Sequence, residues 1–321
     1  MSSIPIAEPS LSSRAMLASL SISMWSARKH DPEASEEIAM RHGAQTDVGR
    51  YNKVLLPKKA LADLQKIVSE ARDAHYFITL PWDDNGYRVL PGAVYMEHRE
   101  KMRSLSGRFH AAAGHLYEQF EELVNQARNR LGGLFRQEDY PTLDELRSKY
   151  SFETKILPLP EAGDFRVTLG DEEKARIKRQ ITMDVEASLR VGSRELWHRL
   201  YEAVEHMAKR LAAYKVTEEG VEHPFRDTVV TNLIKLVDVL PKLNVTHDPE
   251  LDHLADQVRT SLLVDPKELR ESDAVRAETA KRAAEIASKM AGYMAATSAP
   301  GFAADTTTIN WPERPAYACN L

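Results

Sequence analysis

The chain has 321 residues, of which 43% are hydrophobic and 28% charged, enough apolar material for a buried core. A formal charge of −5 excludes a general polycation, and the single cysteine, Cys319, excludes a disulfide framework. No apolar run approaches the length of a membrane span, and no positively charged leader precedes an apolar stretch at the N-terminus. The sequence therefore reads as a cytoplasmic protein of a reducing compartment.

Residues 1–16, rich in Ser and Pro, read as a flexible arm, and 17–91 as a small α+β part. Leu20-Ser-Ile22-Ser-Met24 alternates with the period of a strand. Asp31-Pro32 has the chemistry of a helix start, Asp as N-cap and Pro in the first turn. A second helix is expected after Pro57, reaching about His75 with Leu61, Leu64, Ile67, Val68 and Ala71 inward. Tyr76–Trp82 and Tyr87–Leu90, separated by Asp83-Asp-Asn85-Gly86, predict a hairpin whose Pro81 places it at an edge.

Residues 92–215 hold two long helical patterns. The first, to about Leu134, carries Met102, Leu105, Phe109, Ala112, Leu116, Phe120, Leu123, Ala127 and Leu131 at steps of three and four. The second, from Asp171 to Tyr214, carries Ile177, Ile181, Val185, Leu196, Leu200, Val204, Met207 and Leu211. At 1.5 Å per residue each helix would be roughly 65 Å long. The matched stripes predict a long antiparallel coiled-coil hairpin in a mainly α fold. Residues 135–170 would then form a small α+β cap at its tip, with a Thr142–Glu145 capping box, a strand at Ser151–Leu157 and a return strand at Phe165–Leu169.

Residues 216–296 read as shorter C-terminal helices. One bears Phe225, Val229, Leu233, Leu236 and Leu240 and ends at Pro241. Two more begin at Asp248-Pro249 and Asp265-Pro266, the last an Ala-rich helix through Met294. Residues 297–321 read as a flexible tail.

Met24-Trp-Ser-Ala-Arg28, Gly49-Arg-Tyr-Asn-Lys53, Leu80-Pro-Trp-Asp83, His223-Pro-Phe-Arg-Asp227 and Leu243-Asn-Val-Thr246 give the chain a resemblance to an uncharacterised family of bacteriophage and integrative-element proteins. The resemblance spans roughly residues 18–270. It implies no activity and no active-site residues. It does imply company: a MoxR-type AAA+ ATPase with a von Willebrand A-type partner, or recombination genes.

Chemistry is sparse. The best metal pattern is Glu195, His198, Glu202 and His206 on one helix, opposite His115 and Glu118. A di-iron bundle needs such groups pointing inward from four helices, and here Leu196 and Leu200 hold the inner stripe. No phosphate-binding glycine loop and no nucleophile elbow are present, so the expectation is no catalytic residue, metal or cofactor. For nucleic acid or a protein partner, the candidate contacts are Trp25, Arg28, Lys29, Arg50, Tyr51 and Lys53, and Lys174, Arg176, Lys178 and Arg179. Glu172 and Glu173 interrupt the second group. The sequence thus favours a non-enzymatic adaptor or assembly factor with a host- or element-encoded protein partner, and is compatible with a homo-oligomer. A nucleic-acid-binding protein of recombination or replication is the alternative, and a helical metalloenzyme a distant one.

Overall fold

Asp31 caps the first α-helix as its sequence demands, its carboxylate accepting the Ala34 N–H at 3.1 Å with Pro32 in the first turn. A computed structural model describes residues 11–83, 85–167, 169–217 and 220–297. They are mostly helical with a small antiparallel sheet. The chain divides into two compact units, Met1–Gly192 and Ser193–Leu321.

In the first unit the order is β1 (Ala15–Ser23), β2 (Arg28–His30), α1 (Pro32–Arg41), β3 (Asn52–Val54), α2 (Ala62–Phe77), β4 (Leu80–Pro81), β5 (Tyr87–Pro91), α3 (Tyr95–Leu131), α4 (Leu143–Ser148), β6 (Ser151–Pro158) and the start of α5 (Asp171–Ala213). β1 begins earlier than the alternation at Leu20 suggests, and is the strand on which the sheet is built. β5 pairs antiparallel on one side of it and β6 on the other, and β4 completes the order β4-β5-β1-β6. The hairpin expected at 76–90 is shorter than its β-prone residues imply. Tyr76 and Phe77 complete α2 instead, leaving β4 only Leu80 and Pro81.

Both faces of the sheet are used. On one, Leu20 and Ile22 of β1 and Phe152 of β6 join a core with Leu64, Ile67 and Val68 of α2 and Met102, Leu105, Phe109, Leu116 and Phe120 of α3. On the other, Leu17, Leu80 and Val89 stand in register and are buried. Gly192 of α5 sits over Leu80, where an added Cβ would lie 3.4 Å from the Leu80 Cβ.

The α3 stripe finds cover within the first unit. Met102, Leu105, Phe109, Leu116, Phe120 and Ala127 are buried as the periodicity requires, and Ala112, Leu123 and Leu131 partly so; among the described residues the side chains clustered on them come from α2, α4, β1 and β6 and from the segments carrying Leu55, Leu56 and Tyr140, a packing that does not confirm the coiled-coil hairpin expected from sequence. A periodic stripe specifies that a helix must be covered, not by what, and α2 with the sheet supplies that cover within one unit. The tip cap differs for a related reason. The Thr142–Glu145 capping box forms, with the Thr142 N–H donating to Glu145 at 2.8 Å. β6 then pairs with β1 far earlier in the chain, and the described residues of 165–169 form no return strand. Gly132 ends α3 at φ 53°, a positive φ that glycine adopts without strain.

In the second unit, α5 buries Leu196, Leu200, Val204, Met207 and Leu211. A short hairpin follows, β7 (Lys215–Thr217) with β8 (Gly220–Glu222), then α6 (Thr228–Leu243), α7 (Pro249–Leu262), α8 (Pro266–Glu271) and α9 (Asp273–Thr297). Pro241 falls inside the last turn of α6 rather than ending it. Asp248 and Asp265 cap α7 and α8 as expected. The single helix read from Asp265 onward is broken at Ser272, whose hydroxyl accepts the Val275 N–H at 3.3 Å and starts α9 afresh. Arg276 is buried behind it, donating to the Leu269 carbonyl at 3.0 Å with its guanidinium 4.5 Å from the Tyr214 ring centroid. Among the described residues no helix is long and apolar enough to cross a membrane.

Candidate functional site

The N-terminal candidates converge on a two-stranded ribbon, β2 with β3, in which Arg28 faces Val54, Lys29 faces Lys53 and His30 faces Asn52. Its members separate into two kinds. Trp25 is half-buried and meets Phe120 and Tyr140 edge-on, at centroid distances of 5.9 and 6.5 Å. It is an anchor of the core, the geometry aromatic pairs favour.

Lys53 is also interior, with 2% of its side chain exposed. Its ammonium lies 2.9 Å from Asp31 Oδ2 and 2.6 Å from Asp139 Oδ2, and donates to the Leu134 carbonyl at 3.1 Å. Burial pushes this lysine's pKa down, but its bonds to Asp139 and Asp31 outweigh that and hold it above its ordinary value. The Lys53 hydrogen bond in turn holds the Asp31 carboxyl below the usual range, helped by the Ala34 N–H. One cation thus ties β3, the cap of α1 and the segment after α3 together. A lysine two residues after Tyr51 and three after Arg50 gives no sign of this, because both carboxylates come from other parts of the chain.

Arg28, Lys29, Arg50 and Tyr51 remain at the surface. Among the described residues no carboxylate pairs with Arg28, Lys29 or Arg50. The Tyr51 backbone is fixed, its N–H donating to Ser35 Oγ at 2.9 Å and its carbonyl accepting the Asp31 N–H at 3.0 Å.

The second group of candidates lies at the start of α5. Arg176 forms a two-pronged bond with Glu173, at 3.0 and 2.6 Å, so its charge is locally answered. Arg179 is exposed, and Lys174 and Lys178 are half-exposed. They lead into an unusual length of helix. From Asp171 to Val191 not one residue is buried, although Ile177, Ile181, Val185 and Leu189 recur at helical spacing and stay half-exposed.

The residues of the metal pattern bond to neighbours along their own helix. Glu195 accepts from Arg199 at 3.2 Å, and His198 Nε2 lies 2.8 Å from Glu202 Oε1. Burial, then Arg210 and Lys209, push His206 below its ordinary pKa. His115 and Glu118, 3.5 Å apart, are both largely exposed on α3. Among the described residues no group of three or more His, Cys, Asp or Glu is placed to hold a metal ion.

One pair of titratable groups was not singled out from sequence. His75 Nδ1, near the end of α2, lies 2.9 Å from His98 Nε2 in the first turn of α3, both rings buried. Burial, then the proximity of His98 and Arg88, pushes His75 down to about 3, and burial lowers His98 as well. Arg88 donates to Thr79 Oγ1 at 2.7 Å, and Thr79 Oγ1 donates to the His75 carbonyl at 2.6 Å. The pair lies at the junction of α2, α3 and β5. In the second unit, a shallow apolar groove between α5 and α9 is lined by Ala208, Ala212, Ala277, Ala280 and Ala284, with Lys209 and Lys281 at its rim.

Comparison with models of protein families, with curated proteins and with solved structures finds no match to this chain.

Proposed function

We propose that this protein is a non-enzymatic adaptor or assembly factor that engages a protein partner through the first half of α5. The observation that carries the reading is the contrast along that one helix. Leu196, Leu200, Val204, Met207 and Leu211 are buried, whereas Ile177, Ile181, Val185 and Leu189, on the same periodicity, are only half-covered. A stripe of this kind, continuous from Ile177 to Leu189 over about three and a half turns, fits the apolar face of a second amphipathic helix. The company of an AAA+ ATPase of the MoxR type and a von Willebrand A-type protein, in a phage or mobile element of a bacterial host, is part of this proposal. It rests on the family resemblance alone.

The test is co-purification from producing cells with the full chain as bait, alongside an Ile177→Glu/Ile181→Glu/Val185→Glu variant. A discrete protein retained by the wild type and lost by the variant is the expected result. Equal retention by both chains would reject the α5 surface.

A second reading, nucleic-acid binding, is favoured by a different observation: among the described residues no carboxylate pairs with Arg28, Lys29 or Arg50, beside the exposed Tyr51. A few phosphate contacts and one stacking ring give weak, strongly salt-dependent binding. Arg28→Glu/Lys29→Glu would abolish such binding without touching the α5 stripe, which separates the two readings.

A further inference from the structure

β6 is one edge of the four-stranded sheet, and among the described residues no strand pairs with its outer side. The opposite edge, β4, is two residues long and ends in Pro81. Shortness and proline are two of the devices by which sheets refuse further pairing. β6 is eight residues long with proline only at its final position, and every residue from Glu153 to Pro158 is exposed. Two of these are large and apolar, Ile156 and Leu157, at 39% and 42% exposure. An open, partly apolar edge of this length is a template for another strand.

The sequence of β6 selects the strand. We infer that a second copy of this chain pairs antiparallel with β6 about a two-fold axis at Thr154, joining two four-stranded sheets into one. In that register Glu153 stands opposite Lys155 of the second copy, and Lys155 opposite its Glu153, so the symmetry makes two opposite-charge pairs at once. Thr154 faces Thr154, a favourable cross-strand pair, and the exposed Ile156 faces Phe152 of the second copy, at the border of the core around Phe109. Moving the axis one residue either way sets Glu153 against Glu153 or Lys155 against Lys155, like charges directly opposite. The charges therefore favour the Thr154 register and disfavour its two nearest competitors. Within one chain the same two groups are only loosely engaged, 3.8 Å apart with side chains 57% and 65% exposed, and are free to re-pair. The inference uses no residue of the α5 stripe and stands apart from the adaptor reading.

Charge reversal with rescue tests it. The full chain is examined by sedimentation equilibrium as wild type, Glu153→Lys, Lys155→Glu and the double reversal. The wild type is expected to dimerise. Each single reversal places like charges opposite at two symmetric positions and weakens the dimer roughly tenfold to a hundredfold. The double reversal restores opposite charges in both pairs and returns the dissociation constant to that of the wild type. In a Cys319→Ser background, Thr154→Cys should oxidise to a covalent dimer and Glu153→Cys should not, because only position 154 faces itself. A wild type that is monomeric at its highest soluble concentration, single and double reversals that behave alike, or crosslinking that is equal at the two positions would each overturn the inference.

Discussion

Lys53 and Asp139 meet at 2.6 Å in the interior of the first unit, joining a strand to a segment that follows α3. Asp31 shares the same ammonium at 2.9 Å. Removing the cation leaves two buried carboxylates without their partner, the arrangement in which a broken buried pair costs most. Lys53→Ala should therefore destabilise the protein by about 3–5 kcal/mol in chemical denaturation. Lys53→Met should be as harmful, since it restores the volume without the charge. A loss below about 1 kcal/mol, the range of an exposed pair, would show that the triad is solvated.

Burial of the histidine pair should make the first unit acid-sensitive. His75 has its pKa lowered from the ordinary 6.5 to about 3, so its neutral form is favoured by folding. That contribution is fully present above pH 6.5 and is lost as pH falls from there toward 3, because the unfolded chain takes up the proton first. Between pH 7 and 5 His75 alone should account for about 2 kcal/mol of lost stability, and His98 adds in the same direction. Denaturation curves of the wild type and His75→Gln at the two pH values should show a smaller loss in the variant. Equal losses would place the acid sensitivity elsewhere.

Gly192 reports on how α5 meets the sheet. A Cβ there would lie 3.4 Å from Leu80 Cβ and 3.5 Å from Cδ1, ordinary contact distances. Gly192→Ala should fit and raise stability by about 0.5–1 kcal/mol through helix propensity. Gly192→Leu should lower stability by roughly 1–3 kcal/mol, since the longer side chain has to displace Leu80. If both variants are neutral, α5 does not rest on Leu80.

What the sequence made legible was local. Asp31, Asp248 and Asp265 cap helices because a carboxylate, a proline and the next N–H groups lie within one turn of each other. The Thr142 capping box is legible for the same reason. Partners distant in the chain were not legible. The stripe of α3 has a helical period, but Leu64 and Ile67 of α2 fill it as well as a second long helix would. Ser151–Leu157 has strand character, yet nothing in its composition names β1 as its partner. At the candidate surfaces, Arg28, Lys29 and Arg50 stay exposed, as solvated charges that need no partner do. Trp25 and Lys53 look the same in sequence and differ only in what folds over them. His75 and His98 sit on ordinary helical positions, and no motif joins them before α2 and α3 are packed.

The adaptor reading turns on whether the half-covered stripe of α5 touches another protein in the cell. A photo-crosslinking amino acid placed at Ile181, on the stripe, and at Gln180, on the exposed polar side, gives the most direct measurement. A discrete, nuclease-resistant protein adduct is expected from position 181 and little from position 180, with the position-181 adduct lost on adding Ile177→Glu and Val185→Glu. No adduct from position 181, equal adducts from both positions, or an adduct abolished by nuclease would contradict it.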